Sequence, residues 1–556
     1  MTDQVEIRFL PGPVRVEVRE GTTLLAAARQ SGFAIEAPCD GAGICGKCKV
    51  LIRADEQSAL YPGVDAQFDE VHQAFSILAC DARVRGPLTV TLPYADESGL
   101  AIVDHGRSGA RTLSPHIRIE RSPSACQVFA GTDLIDTYAV DSKVANLGIA
   151  VDIGTTTLVV ALIDLETGKE LTVASALNPQ ATYGHDVLSR IRFGSEPDGL
   201  RTLQRVLVFR LNELIAGVCV RAGAEPGHIH EAVLSGNTCM LHLALGEDPS
   251  PLGRAPFTPR FEGGHYVRCA ELGLAIAAHA SAYVPPVVSG FVGADITAGI
   301  LATDLHRAGE TSLLLDIGTN GEMVLAHQGG LWSTSTAAGP AFEGVNIECG
   351  MRAAAGAIDA VFAAEDGSLS LRTISDASPM GICGSGLIEL VHHLIATGAI
   401  SPSGRFDLKV PAPLGSWEDN AGRRRLRLVG EVSLTQKDVR QVQLAKAAIR
   451  AGLESLLDRA GITEREVHRV LVAGSFGYHL RAASLTGTGL LPSALAAKME
   501  TAGNTSKAGA ATLLTHAPSR LELETVARTV RGIDLADDPA FGKRFVDHMA
   551  FTGAQA

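Results

Sequence analysis

The chain has 556 residues, too many for one compact core, since single domains usually hold about 100–200. Lys and Arg number 48 against 61 Asp and Glu, a net charge of −13, which excludes a general nucleic-acid binder, because such a protein needs a basic face to replace condensed counterions. A hydrophobic fraction of 46% with 20% charged residues excludes wholesale disorder, and no uninterrupted apolar run is long enough to span a bilayer.

The opening residues, MTDQVEIRFLPG, have no basic start followed by an apolar core, so no signal peptide and a cytoplasmic location are expected. In such a reducing compartment, clustered cysteines read as metal ligands or nucleophiles rather than disulfides. Four of the ten cysteines fall early: Cys39, Cys45 and Cys48, spaced C-x5-C-x2-C, and Cys80. A two-iron cluster needs four thiolates, mostly on one wrapping loop, and Gly41, Gly43 and Gly46 give that loop its freedom in φ. A zinc site usually takes two C-x2-C pairs, and only one is present. The same glycines satisfy G-x-G-x-x-G, but no buried strand leads into them and no helix follows, as a dinucleotide loop requires. Val5, Ile7 and Phe9 alternate, as do Val14, Val16 and Val18, which predicts a hairpin around Pro11–Pro13. Thr22 or Thr23 caps a short helix, and strands are expected at Lys49–Ile52 and Leu88–Leu92. This order and spacing resemble the β-grasp [2Fe-2S] ferredoxins of the adrenodoxin-like branch.

The polar stretch 95–113 reads as a linker. Beyond it lies an internal repeat: GIAVDIGTTTLVVALIDLETGK from Gly148 parallels SLLLDIGTNGEMVLAHQGG from Ser312. Each copy is an apolar strand, an Asp-Ile-Gly-Thr turn and a second strand, which suits two homologous lobes. An Asp at a strand end, Asp152 or Asp316, can hold Mg²⁺ directly or through its waters. Gly154 and Gly318 let the turns approach a phosphate, while Thr155, Thr156, Thr319 and Asn320 present donors. A second pair, EAVLSGNTCM and HRVLVAGSFGYHL, runs from an apolar strand into polar glycine-rich residues, and Gly474, Ser475 and Phe476 offer a flat surface for a purine. Thr435 and Asp438 form a capping signal for the preceding helix, whose Lys446 either reaches a nucleotide or lies exposed. The stretch Ser333–Glu343 leaves open a phosphate contact, a partner contact or a packed turn. The basic run at Arg423–Arg425 and Arg427 reads as a solvated strand face.

DIGTTT, LDIGTNGE and VLVAGSFG resemble the phosphate-1, phosphate-2 and adenosine segments of the actin, sugar kinase and Hsp70 ATPases, over about residues 147–535. The resemblance implies two RNase H-like lobes with ATP and Mg²⁺ in the cleft and lobe closure as the output. It implies nucleotide contacts at Asp152, Gly154, Thr155 and Thr156, at Asp316, Gly318, Thr319 and Asn320, and at Gly474, Ser475 and Phe476. Glu322 is expected to orient the attacking water. A ferredoxin fused to such an ATPase is similar to the reductive activators of corrinoid-dependent enzymes, and YGHDVLSRI, STAAGPAFEG, GICGSGLIEL and QLAKAAI match that family in wording.

The expected fold class is therefore a multidomain α/β and α+β chain. A β-grasp [2Fe-2S] ferredoxin spans 1–94, a linker 95–113, a reduced middle segment 114–146 and a two-lobed actin-like ATPase domain 147–556. The family resemblance implies an ATP-dependent electron transfer from a [2Fe-2S] cluster on Cys39, Cys45, Cys48 and Cys80 to a Co(II) corrinoid, restoring Co(I). Implied partners are the corrinoid protein of a methyltransferase system and an electron-donating reductase, with no nucleic acid or membrane; a homodimer is left open. The alternatives are a sugar-kinase-like phosphotransferase with a regulatory iron–sulfur domain, and an ATPase activator of another low-potential metalloenzyme.

Overall fold

The computed structural model describes residues 4–10, 14–31, 33, 35, 37, 41, 43, 48–69, 73–91, 106, 109, 111–139, 143–364, 368–420, 423–474 and 480–551. The predicted turn at Pro11–Pro13 lies outside them, as do Cys39, Cys45, Ser475 and Phe476.

The N-terminal strands Gln4–Leu10 and Val14–Arg19 pair antiparallel, with Ile7 opposite Val16. Leu88–Thr91 lies parallel to the first strand and joins it to Lys49–Arg53, giving the mixed sheet of a β-grasp. Thr23 caps the helix Leu24–Ser31, its Oγ1 accepting from the Ala26 amide at 3.2 Å. That helix buries Leu24, Leu25, Ala27 and Ala28 against Ile7, Phe9 and Val50, the apolar alternation read from the sequence.

The repeat becomes two sheets of one topology. In the first, the central strand Leu147–Ile153 runs antiparallel to Thr157–Asp164, which pairs with Glu170–Leu177. On its other side it runs parallel to Ile229–Gly236, followed by Ser281–Val284. In the second, Ser312–Ile317, Gly321–His327, Gly330–Thr336, Arg469–Ala473 and Met499–Gly503 occupy the same five places. The central strands are buried on both faces, so they read as unbroken apolar runs rather than alternations. The paired segments EAVLSGNTCM and HRVLVAGSFG thus contain the fourth strand of each sheet. A long helix packs on each lobe, Gly199–Ala222 on the first and Gln436–Ala460 on the second. The second carries both halves of the Thr435–Asp438 capping box.

Two helices cross between the lobes. Ala294–Ala302 and Thr505–Thr515 approach so closely that a Cβ on Gly509 would lie 2.2 Å from the Ala298 carbonyl oxygen. Thr505–Thr515 packs Ala510, Leu513 and Leu514 on the first lobe's Ala150, Ala161 and Val233. Ala294–Ala302 packs Ile296 and Ile300 on the second lobe's Leu314, Val324 and Leu471. The far end of the linker is pinned at this crossing: Gly106 bridges to Gly503, the Gly109 amide donates to Ala302 O at 3.0 Å, and Arg111 pairs with Asp304 at 2.7 Å.

Between the linker and the first lobe, Ile117–Arg121, Cys126–Ala130 and Asp133–Tyr138 form a three-stranded sheet, which buries Ile117 and Val128 beneath the first lobe. The basic run lies on the strand Arg423–Val429, with Arg427 paired to Glu418 at 2.7 Å and Arg425 to Glu348 at 3.3 Å. Lys446 meets neither expectation. It is buried, its ammonium donates to Ala550 O at 2.6 Å over the Phe551 ring, and burial pushes its pKa down to about 8. It anchors the C-terminal segment, because that segment folds back over the helix face that a bare helix would expose.

Candidate functional site

Each Asp-Ile-Gly-Thr hairpin closes on its own backbone. The Gly154 amide donates to Thr157 O and the Gly318 amide to Asn320 O, both at 2.9 Å. A Cβ on Gly154 would lie 2.7 Å from Thr157 O, so the turn is as tight as the glycine allows. Behind the first hairpin stands Arg190, wholly buried. It donates to Thr155 O at 2.6 Å and Gly184 O at 2.8 Å. Burial lowers its pKa to about 10, which still leaves a full positive charge beneath the turn at neutral pH.

One cavity between the lobes brings the two hairpins together. Asp152, Gly154, Thr155, Thr156, Asp316, Gly318, Thr319, Asn320, Glu322 and Gly474 all line it. Gly474, at φ +92°, approaches so closely that a Cβ there would lie 2.7 Å from Asp316 Oδ1. Among the described residues, Asp295, Glu343 and Arg352 also line the cavity, so five carboxylates face one cation.

The two halves have diverged in how they treat their aspartates. Asp152 Oδ1 accepts from Ser506 Oγ and Oδ2 from Asn504 Nδ2, both at 2.8 Å, at the start of helix Thr505–Thr515. Burial raises its pKa, and these two bonds and Lys507 work against the rise. Ser506 is the second residue of its helix, and Asp295 is the second residue of the helix Ala294–Ala302. In place of a hydrogen-bond donor, Asp316 therefore meets a second carboxylate. Burial pushes both Asp295 and Asp316 up to about 7, helped at Asp295 by the charges of Asp316 and Asp152 and at Asp316 by that of Asp152. Glu322, opposite Asp316 in the strand register, is driven well above the ordinary range by burial, then by Asp295 and Asp316.

Raised carboxylates bind more protons folded than unfolded, so they weaken the fold as pH rises from about 4 to about 7, with the full penalty present above that. Thermal unfolding of the metal-free protein should show a contribution of this sign, on the order of a few kcal/mol, and a smaller one in Asp295→Asn, where Asp316 and Glu322 remain. An identical pH profile in that variant would contradict the assignment.

In the N-terminal domain Cys48 is buried, and its sulfur accepts the Cys80 amide at 3.4 Å. Gly41 takes φ +83° with its Cα face on Leu25 and Cys80, and Gly43 takes φ +72°, the left-handed turns expected of a wrapping loop. An N–H directed at a sulfur and a glycine turn packed on the fourth cysteine fit a thiolate-bound cluster. The helix Leu24–Ser31 docks on the first lobe: Arg29 Nε donates to Thr182 O, and Tyr183 Oη donates to Arg29 O, each at 3.2 Å.

Sequence reasoning missed Asp295, Asn504, Ser506, Arg352 and the role of Arg190. Asp295 and Ser506 were within reach of the repeat, had it been extended to the helix after each fifth strand. Arg190 sits inside YGHDVLSRI, and Glu343 is the last residue of the stretch Ser333–Glu343.

The family model "2Fe-2S iron-sulfur cluster binding domain" matches residues 8–85, "RACo middle region" matches 147–308, and "C-terminal domain of RACo the ASKHA domain" matches 310–556. The part that this family calls its middle region is thus the first lobe. The chain is 33% identical over 439 residues to the corrinoid activation enzyme RamQ of Eubacterium limosum, covering 76% of this chain and 74% of that one. It is 27% identical over 392 residues to the [Co(II) methylated amine-specific corrinoid protein] reductase of Methanosarcina barkeri, covering 65% and 68%. A solved reductive activator for a corrinoid, iron–sulfur protein superposes with TM-score 0.74 at 29% identity over 98% of both chains. No helix among the described residues is long and apolar enough to cross a membrane. The chain belongs to the reductive activators of corrinoid proteins, in which a [2Fe-2S] ferredoxin domain is joined to an ASKHA domain.

Proposed function

We propose that this chain couples ATP hydrolysis to one-electron reduction of the Co(II) corrinoid of a methyltransferase system, restoring Co(I). The observation that carries the reading is the cavity in which both Asp-Ile-Gly-Thr hairpins meet, in a chain that also bears the Cys48–Cys80 contact. The working division is ferredoxin 1–94, linker 95–113, short sheet 114–146 and nucleotide clamp 147–556.

Five carboxylates beside one arginine repel a bare polyphosphate, so the cavity calls for a divalent cation. Asp295, Asp316 and Glu322 would hold Mg²⁺ directly or through its waters, and the ion would offset the burial and repulsion that raise their pKa values. Only then is Glu322 free to orient the attacking water. Thr155, Thr156, Thr319 and Asn320 would donate to the phosphates, backed by the Arg190 charge, and Gly474 with Ser475 and Phe476 would carry the adenosine.

When bound by Cys39, Cys45, Cys48 and Cys80, the [2Fe-2S] group supplies a one-electron donor at about −400 mV. Each shortfall of about 59 mV against the Co(II)/Co(I) couple costs tenfold in equilibrium constant. Lobe closure offsets the shortfall when the closed clamp binds the Co(I) form of the partner more tightly than the Co(II) form. Arg29 and Tyr183 tie the ferredoxin to the first lobe, so the ferredoxin moves with that lobe. A separate reductase would recharge it.

ATP consumption measured beside a Co(II) corrinoid protein and beside a panel of hexoses tests the reading. Stimulation by the corrinoid protein supports it. Phosphorylation of a sugar, with no response to the corrinoid protein, would favour a kinase.

A further inference from the structure

Glu343 touches both hairpins at once. Its Oε2 accepts from Thr156 Oγ1 of the first lobe at 2.5 Å, and its Oε1 from Thr319 Oγ1 of the second at 2.8 Å. The two hydroxyls themselves stand only 3.4 Å apart. A carboxylate thus offers two oxygens to two hydroxyls, the pattern that two oxygens of a phosphoryl group would offer to the same pair. We infer that Glu343 is an internal competitor for the phosphate site: a carboxylate latch that straps the lobes together and must leave before a polyphosphate is seated. The inference rests on the nucleotide reading above and gives its second phosphate hairpin a regulator.

The surroundings suit a side chain that moves on a fixed base. Glu343 ends the short turn Pro340–Glu343, in which Ala341 and Phe342 are buried in the second lobe's core. Gly344 follows at φ +78°, where a Cβ would lie 2.6 Å from Met351 O, so the backbone has one seat. Arg352 lines the same cavity, and its Nε is buried with no hydrogen-bond partner among the described residues. That unmet donor is a cation for the incoming phosphate once the carboxylate has gone. The charges of Glu343 and phosphate repel, and both need the same hydroxyls, so the two cannot share the site. The Thr156 bond also crosses the cleft, so its rupture accompanies any opening of the lobes. Apparent affinity is then the intrinsic affinity scaled by the fraction of molecules whose latch is open.

Two variants of the full chain test this. Glu343→Gln keeps the shape but loses the charge and one acceptor; Glu343→Asp keeps the charge but is one methylene too short to span both hydroxyls. Calorimetry with the magnesium complex of the non-hydrolysable β,γ-imido analogue of ATP should show Glu343→Gln binding at least tenfold more tightly than wild type, or about 1.4 kcal/mol. Glu343→Asp should also bind more tightly. In nucleotide-freed protein, amide exchange at 154–157 and 318–321 should be faster in both variants. Damage to the fold weakens binding, so a gain in affinity separates a latch from a scaffold. Equal or weaker binding in Glu343→Gln while wild type binds overturns the latch and assigns Glu343 to the metal or the water. If neither wild type nor the variants bind the analogue, the nucleotide reading fails with it.

Discussion

Replacing Asp316 by Asn is expected to leave the visible spectrum of the iron–sulfur domain intact and to lower ATP-dependent Co(I) formation by about a hundredfold or more. Asp316 is the penultimate residue of the second lobe's central strand, lies opposite Glu322 and near Asp295, and sits against Gly474. The amide keeps the volume and removes the charge that a magnesium ion would meet. The same change relieves the repulsion inside the cavity, so the variant should unfold at a temperature no lower than wild type above pH 7. Loss of activity with gain of stability is the signature of a functional carboxylate held at a cost. Stopped-flow absorbance of the corrinoid and a thermal scan measure the two effects, and unchanged ATP turnover would remove the second hairpin from the metal site.

Cys48→Ser should have an effect as large by a different route. Cys48 is 1% exposed, and its sulfur takes the Cys80 amide at 3.4 Å. A serine hydroxyl stays protonated near neutrality and makes a poor iron ligand where a thiolate is wanted. The anaerobically prepared variant should lose the charge-transfer absorption and reduce Co(II) only at background rate. Nucleotide binding should stay within about twofold of wild type, because the clamp has its own cores, apart from that of the ferredoxin. A normal two-iron spectrum in this variant would show that Cys48 is not a ligand.

What was legible in the sequence was whatever had a local cause. Alternating Val5, Ile7 and Phe9 mark a half-buried strand; the two Asp-Ile-Gly-Thr turns mark the hairpins; Thr435 and Asp438 cap a helix. What was not legible depended on chain segments meeting from far away. Asn504 and Ser506 hold Asp152 from about 350 positions further on, and no spacing rule connects them. Lys446 looked like an ordinary polar residue of an amphipathic helix until the C-terminal segment covered it. Glu343 stands in a stretch of small residues with no periodicity to read, and its two partners, Thr319 in its own lobe and Thr156 across the cleft, come from distant segments. The symmetry of the repeat extends to the crossing helices and pairs Asp295 with Ser506. The departure from symmetry at that pair is the chemically informative part: one lobe gives its aspartate a hydrogen-bond donor, and the other sets a second acid in the donor's place.

If the nucleotide clamp drives an electron from the ferredoxin domain to cobalt, magnesium ATP must set how much Co(I) forms. The direct measurement follows the Co(I) absorption band after mixing pre-reduced protein with a Co(II) corrinoid protein, with and without magnesium ATP. The Co(I) yield should rise at least tenfold with magnesium ATP and not with its non-hydrolysable analogue. Equal yields in every arm, or a full yield without nucleotide, would contradict that coupling.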